Sequence, residues 1–149
     1  MTTPNNATAE ARIRQLMDER IAAVRAKNVD ALVAHHAPGV LAFDLLEPLQ
    51  YVGVAAVRKR AGQWLDGYDG PVTYAIRDLR VTAAAEVAFC HGLHHVGGTL
   101  KGGKKIDMWW RATQCWRCIG GQWLIVHEHS SAPFDMASGK VSFELKPDA

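Results

Sequence analysis

The sequence lacks any apolar run long enough to cross a membrane, and its first stretch, MTTPNNATAEARIRQ, lacks the apolar segment of a signal peptide. We therefore expect no membrane partner and no secretory leader. Three cysteines are few and odd in number, which suits a reducing cytoplasm rather than a disulfide framework. The formal net charge is only +2, too small to indicate nucleic acid as a partner.

A Gly-rich phosphate loop is also missing, so no organic cofactor is expected. Cys115 and Cys118 have the spacing of half a zinc site, but residues three apart on a strand point to opposite faces, and no second pair follows. His127 and His129 share a strand face, where a metal would need a third ligand from a neighbouring strand. We expect these histidines to have other partners and no metal to be bound.

Apolar residues make up 48% of the 149 residues, enough for one domain with one core. We expect residues 1–149 to form that domain, with 1–7 and 136–149 at its periphery. Apolar residues at helical spacing predict helices over 8–27, 29–37 and 54–68. A period of two predicts strands over 40–44, 72–82, 86–97, 105–118 and 122–131, with a weak last strand over 140–145.

Helices followed by an antiparallel meander indicate an α+β chain. The segment 46–52 between the first strand and the third helix has no regular pattern. A long curved sheet of this kind would close around the helices and leave a cavity between them. The sequence therefore predicts a domain with an internal pocket.

Two features could serve that pocket. Asp44 ends the apolar strand VLAFD beside a proline-containing loop, where a carboxylate is either a loop cap or a general base in an apolar pocket. Trp109 and Trp110 are adjacent on a strand and so face opposite ways. At least one of them must face a cavity or a partner subunit.

Three stretches resemble the nuclear transport factor 2-like superfamily, in particular its SnoaL-like, ketosteroid-isomerase-like group. They are KNVDALVAHHAPGVLAFD, YVGVAAVRKRAGQWL and RATQCWRCIGGQWLIVHEHSSAP, and the resemblance extends over about 8–134. It implies a cone-shaped, strongly curved, mostly antiparallel sheet wrapped around three N-terminal helices. It does not imply one activity, because this fold hosts isomerases, cyclases, dehydratases, scaffold domains and non-enzymes.

The resemblance also implies which strand faces line the pocket. In the final hairpin this face carries Trp110, Ala112, Gln114, Val126, Glu128 and Ser130. On the preceding strand the same face carries Phe89, His91, Leu93 and His95. The opposite face carries Trp109, Arg111, His127 and His129, where relatives commonly pack as dimers. A β-bulge would reverse these assignments.

Asp44 matches the position of the isomerase's catalytic base. The oxyanion-binding tyrosine of that enzyme falls at Arg20 here, and its protonated acid falls at Gln114. We therefore expect a pocket for a small apolar, ring-containing molecule, with proton transfer of the isomerase, cyclase or lyase type. Asp44 is the expected base, and His91 or Glu128 the acid. The expected ligand contacts are Trp64, Tyr68, Leu93, Trp110, Gln114, Val126 and Ser130.

The alternative is a non-catalytic dimeric domain for ligand binding or scaffolding, with a vestigial pocket. A sealed cavity without access for water would favour it. In either case we expect a cytoplasmic homodimer formed through the outer sheet face.

Overall fold

The computed structural model describes residues 4–148, which form three helices and one six-stranded sheet. The helices are α1 (Pro4–Arg25), α2 (Val29–Val33) and α3 (Val54–Asp66). The strands are β1 (His36–Phe43), β2 (Tyr51–Val52), β3 (Tyr68–Ala83), β4 (Val87–Leu100), β5 (Lys105–Ile119) and β6 (Gln122–Ser131). The predicted fold, a curved and mostly antiparallel sheet with N-terminal helices, is confirmed.

The strand order is β2-β1-β6-β5-β4-β3. Neighbouring strands are antiparallel except β1 and β6, which run parallel. The last strand is thus inserted beside the first. This arrangement brings residues from the end of the sheet next to residues from the start of the chain.

The predicted boundary between α2 and β1 is displaced in the structure. The helix was predicted to reach residue 37 but ends at Val33, and β1 begins at His36 rather than at residue 40. Pro38 cannot donate a helical hydrogen bond, and the residue before a proline avoids the helical region. The early strand start is fixed by β6, where the Ile125 N–H donates to the His35 carbonyl at 2.8 Å. His36 consequently points into the core instead of lying on a helix.

The chain ends also differ from expectation. Residues 4–7, expected at the periphery and before the first helix, belong to α1, whereas residues 1–3 lie outside the described residues. The short strand β2 was not predicted. The predicted strand over 140–145 is wrong, because within residues 4–148 this segment forms only an isolated bridge between Phe134 and Val141.

The core has two clusters of buried side chains, and α1 contributes to both. Ile13, Leu16 and Met17 pack in one cluster, while Ala23 and Val24 pack in the other. These positions share one face of α1 because they follow i, i+3, i+4 spacing. Arg20 occupies the same face between the two clusters. No helix within 4–148 is long and apolar enough to cross a membrane.

Candidate functional site

A cavity of about 260 Å³ lies between the helices and the concave face of the sheet. Its wall is mostly apolar, but five Arg, His, Asp and Glu side chains reach it. These are Arg20, His36, Asp44, Arg60 and Glu128. They come from α1, the start of β1, the end of β1, α3 and β6, so only the complete fold assembles them.

Glu128 is the centre of the first polar group. Its Oε1 lies 2.9 Å from Arg20 Nη1 and accepts a hydrogen bond from it. Its Oε2 lies 3.0 Å from His36 Nε2. The Glu128 side chain is 13% exposed and that of His36 only 2%. We call these three residues the Glu128 cluster.

Arg20 and Glu128 are both charged at neutral pH. Burial by itself raises the pKa of Glu128, but the Arg20 guanidinium and the His36 imidazole outweigh it and hold that pKa well below its usual range. Burial likewise opposes the charge on Arg20, and the Glu128 carboxylate outweighs it and raises the Arg20 pKa. A carboxylate with so low a pKa has no proton to give near neutrality. The charge of Glu128 acts on its neighbours, and its role as the acid stays a prediction.

Three buried nitrogens of the cluster make no hydrogen bond to the described residues. Arg20 Nε and His36 Nδ1 have no hydrogen-bond partner among the described residues. The contact between His36 Nε2 and Glu128 is short but poorly aligned, since Nε2 also makes no well-formed hydrogen bond. All three atoms are fully shielded from solvent.

Asp44 and Arg60 form a second ion pair at the cavity wall. Asp44 Oδ2 lies 3.2 Å from Arg60 Nε, and Oδ1 accepts a hydrogen bond from the Leu45 N–H at 2.6 Å. The side chains are 28% and 20% exposed, respectively. The carboxylate is thus held in one orientation, partly open to solvent.

An aromatic wall faces these polar groups. Trp64, Tyr74 and Trp110 meet edge to face, with ring centroids 5.8 to 6.4 Å apart. Such contacts favour aromatic pairs beyond the area they bury and fix the ring orientations. The wall offers flat apolar surfaces to a ring-containing ligand.

His94 packs against Tyr74 and Trp110 on the side of this wall away from the cavity. Its Nδ1 hydrogen bonds the Tyr74 hydroxyl, and its ring lies 5.6 Å from that of Trp110. Burial, assisted by the Arg20 charge, lowers the pKa of His94 to about 3. Burial also raises the pKa of Tyr74. At neutral pH both groups are uncharged, so the Tyr74 O–H can donate to Nδ1.

Several predicted site residues do lie together. Asp44, Glu128, Trp64, Trp110 and Ser130 all line the cavity. Their placement agrees with the face predicted for β5 and for the end of β6. The catalytic or binding role of each residue stays a prediction.

The face predicted for β4 is wrong. His94 is paired with Trp110 and is 1% exposed, so the even-numbered residues of β4 point inward. His91 lies exposed on the outer face, where its ring stacks near that of Phe89 at 6.5 Å. Leu93 also lies on that face, opposite Arg111. The prediction took the inward face of β4 from the family resemblance. The pairing of β4 with β5 instead places His94 opposite Trp110 and fixes the other face inward.

A bulge in β6 displaces a further predicted residue. Cys115 pairs with His127 but the next residue, Trp116, pairs with Ile125, so Val126 has no partner on β5. Ile125 takes the inward position, at 3% exposed, and Val126 does not line the cavity. An extra residue in one strand reverses the face of everything beyond it.

Two other predicted contacts lie just behind the wall. Gln114 is buried, and its Oε1 accepts from the Cys90 thiol at 3.4 Å. The Tyr68 hydroxyl accepts from Trp64 Nε1 at 3.3 Å. Neither residue lines the cavity. They can influence a ligand only through the side chains that they hold.

The sequence analysis placed Arg20 at the oxyanion-binding position of the isomerase without giving it a role, and it missed His36, Arg60, Tyr74 and His94. Arg20 carried a usable signal, because a charged residue stood on the apolar face of α1. Arg60 and Tyr74 gave a weaker signal, since each lies on the inward face of its element, α3 or β3. His36 could not be recognised while it was assigned to a helix.

The C-terminal residues were expected to be peripheral, and most are exposed. Phe143 nevertheless lines the cavity, and the Asp148 carbonyl accepts a hydrogen bond from Arg77 Nη2 at 2.6 Å. The end of the chain therefore forms part of the cavity wall.

The outer sheet face carries the residues predicted for a dimer interface. Arg111 and His129 are exposed and Trp109 is half-buried. His127 Nδ1 hydrogen bonds the Leu41 carbonyl at 2.7 Å, a backbone partner of the kind expected for these histidines. Within residues 4–148, no three His, Cys, Asp or Glu side chains are arranged to hold a metal ion. The absence of a bound metal stays a prediction.

The family model of the SnoaL-like domain matches residues 13–135. Among solved structures, an NTF2-like protein of unknown function from Pseudomonas putida is 35% identical, with a TM-score of 0.86. The match covers 95% of this chain and 98% of that one. No curated protein matches the chain.

More distant structures share the fold alone. A candidate dehydratase of the NTF2-like family from Streptomyces avermitilis is 12% identical, with a TM-score of 0.74 over 85% of this chain and 97% of that one. A type 2 hexachlorocyclohexane dehydrochlorinase, LinA, is 16% identical, with a TM-score of 0.72 over 83% and 84%.

Proposed function

The chain belongs to the SnoaL-like domain family, and we propose that it binds a small, largely apolar ring compound and catalyses a proton transfer on it without a cofactor. The observation that carries this proposal is the meeting of two polar groups with an aromatic wall in one cavity. One group is the pair of Asp44 and Arg60, and the other is the Glu128 cluster. A purely apolar binding site would need neither.

Asp44 is the proposed base. Arg60 and the Leu45 N–H hold its carboxylate in a fixed orientation, while its position at the wall leaves it able to meet a ligand. It would remove a proton from a carbon beside a carbonyl or a leaving group. Proton transfer by a positioned side chain typically contributes about 10²- to 10⁴-fold in rate.

His36 replaces His91 as the proposed proton carrier. His36 lines the cavity and lies beside Glu128, whereas His91 is on the far side of the sheet. A carboxylate beside an imidazole fixes the orientation of the ring. Dehydration and dehydrochlorination, for which two structural neighbours are named, are eliminations that such a pair could also serve.

The substitution Asp44→Asn should slow turnover by about 10²-fold or more while leaving the ligand dissociation constant within about threefold. The amide keeps the shape of the side chain and removes the base. A library of cyclic ketones in D₂O, followed by NMR, would report turnover as deuterium incorporation beside the carbonyl. Binding would be measured on the same compounds by calorimetry.

Asp66→Asn is the matched control, because Asp66 is exposed at the end of α3. It should exchange deuterium at the wild-type rate. Unchanged exchange in Asp44→Asn would defeat the catalytic proposal and favour a binding domain with a vestigial pocket.

The proposal includes a homodimer formed through the outer sheet face. Trp109, Arg111, His127 and His129 would lie in the interface, and burial of Trp109 would remove an aromatic side chain from solvent. Sedimentation at micromolar concentration should show a species of twice the 16.3 kDa chain mass. Arg111→Glu should shift it towards monomer, and a wild-type protein that sediments only as monomer would refute the interface.

The cysteines fit a reducing compartment. Cys90, Cys115 and Cys118 are all free thiols. A cytoplasmic location is accordingly part of the proposal.

A further inference from the structure

The last residues of the described chain are attached to the rest of the protein at few points. Residues 133–148, which we call the C-terminal strap, follow β6 and belong to no helix or strand of the fold. The Asp135 N–H donates to the Lys140 carbonyl, and the Ser142 N–H donates to the Pro133 carbonyl, both at 2.8 Å. These bonds hold residues 133–142 together as a hairpin, but they do not attach the hairpin to the sheet.

Phe143 follows this hairpin and lines the cavity. Its side chain is half-buried, so part of it reaches solvent. Leu46, from the segment before β2, also lines the cavity although it is 54% exposed. The cavity therefore comes to the surface beside these two side chains, and Phe143 narrows its mouth.

The end of the strap is held on the opposite face of the sheet. Arg77 Nη2 donates a hydrogen bond to the Asp148 carbonyl at 2.6 Å. Arg77 lies opposite Leu93, and residues directly opposite each other on neighbouring strands share a face. Since Leu93 lies on the outer face, so does this bond. Within residues 4–148 it is the one hydrogen bond that joins the strap to the rest of the chain.

The edge of β5 lets the strap pass from the cavity to the outer face. Strand β6 pairs with β5 only from residue 111 onwards, so residues 105–110 have no strand on that side within the described chain. In this stretch Met108 lines the cavity, whereas Asp107 hydrogen bonds His95 on the outer face. The bond to His95 and, to a lesser degree, the charge of Lys146 lower the pKa of Asp107, so the strap runs close to this edge.

We propose that the C-terminal strap opens and closes the cavity, with Phe143 as the closing side chain and the bond between Arg77 and Asp148 as its latch. This adds control of access to the site of the proposed function, on which it rests. Segments with few buried contacts and exposed hydrogen bonds open at low cost in free energy. When the latch breaks, Phe143 moves away from the mouth while the helices and the sheet keep their packing. An arginine on the far face of the sheet thus controls entry to the cavity.

Entry can be measured without a ligand, through a cysteine placed in the cavity wall. Ala42 lines the cavity and is 8% exposed, so the thiol of Ala42→Cys should react with iodoacetamide only when the reagent enters. Cys90, which is 0% exposed in the core, reports unfolding of the whole domain in the same sample. Mass spectrometry of the peptides gives the alkylation rate at each position.

Adding Arg77→Ala to the Ala42→Cys protein should raise the alkylation rate at position 42 by about three- to tenfold, the equivalent of one net hydrogen bond. The rate at Cys90 should stay within about twofold, because a surface substitution barely changes global stability. Arg80→Ala is the matched control, since Arg80 is another exposed arginine of β3. It should leave both rates within about twofold.

Phe143→Ala removes the closing side chain itself. It should raise the rate at position 42 by about tenfold or more, as expected when an aromatic side chain loses its partly buried position. Phe134→Ala is the control, because Phe134 belongs to the same strap but is 59% exposed and does not line the cavity. It should leave the rate at position 42 within about twofold.

An unchanged rate at position 42 in Arg77→Ala would overturn the proposal. An equal acceleration at Cys90 would also overturn it, because unfolding of the domain would then admit the reagent. If Ala42→Cys does not fold, Ser130→Cys is a nearly isosteric reporter that also lines the cavity.

The alkylation rates do not depend on catalysis, so this test is separable from that of Asp44. Faster alkylation in Arg77→Ala together with full exchange activity in Asp44→Asn would refute the catalytic proposal and support the strap. Unchanged alkylation together with lost exchange activity would refute the strap and support the catalytic proposal.

Discussion

Glu128→Ala is expected to lower the free energy of unfolding by about 3–5 kcal/mol, the typical cost of removing one partner from a buried ion pair. Arg20 would keep its charge in a position that is mostly shielded from water, with the nearest carboxylate gone. Urea denaturation at neutral pH measures the difference. Replacing both partners by apolar residues, in Arg20→Met with Glu128→Leu, should recover much of the loss, because no uncompensated charge then remains.

The control for this prediction is Glu144→Ala, since Glu144 is exposed near the C-terminus. Its effect should stay within about 0.5 kcal/mol. If Glu128→Ala unfolds as the wild type does, Arg20 must find another partner or reach solvent, and the Glu128 cluster is not a coupled unit.

The second large effect is a loss of stability in acid that originates at His94. Its pKa is about 3 in the folded chain and about 6.5 when unfolded. The unfolded state therefore binds the extra proton, and stability falls as the pH drops from about 6.5 towards 3. The loss should reach about 2 kcal/mol by about pH 5. Glu128, whose pKa is depressed, adds a further loss only below its unfolded value of about 4.3.

His94→Gln tests this, because an amide can still accept from Tyr74 but does not titrate. Between about pH 8 and about pH 5 its unfolding free energy should change less than that of the wild type by about 2 kcal/mol. The exposed His91→Gln should keep the wild-type pH dependence. A variant that loses as much stability in acid as the wild type would place the titrating group elsewhere.

The sequence predicted the elements of this fold well because their periodicity is local. The apolar stripe on α1 and the alternation in β5 follow directly from which residues face the core. The resemblance then implied a curved, mostly antiparallel sheet. The parallel pairing of β1 with β6 was not predicted, because no local pattern contains it.

Much of the site could not be predicted because it depends on register. The bulge at Val126 and the early start of β1 at His36 are set by pairing between strands that are distant in the chain. A one-residue change in register exchanges the two faces of a strand, as happened with His91 and His94. Trp110 was placed in the cavity correctly because β5 pairs with β4 without any register shift around it.

The separation of Arg20 and Glu128 along the chain has a consequence for biosynthesis. The two residues are 108 positions apart, and Glu128 lies on the strand that must enter between β1 and β5. Contacts this distant form late, since the loop must close before they contribute. A chain still leaving the ribosome can form α1 and the β3–β4 hairpin, but it has no Glu128 cluster. A ligand would then bind only the fully folded protein. Its binding would lower the fraction of chains that unfold and aggregate.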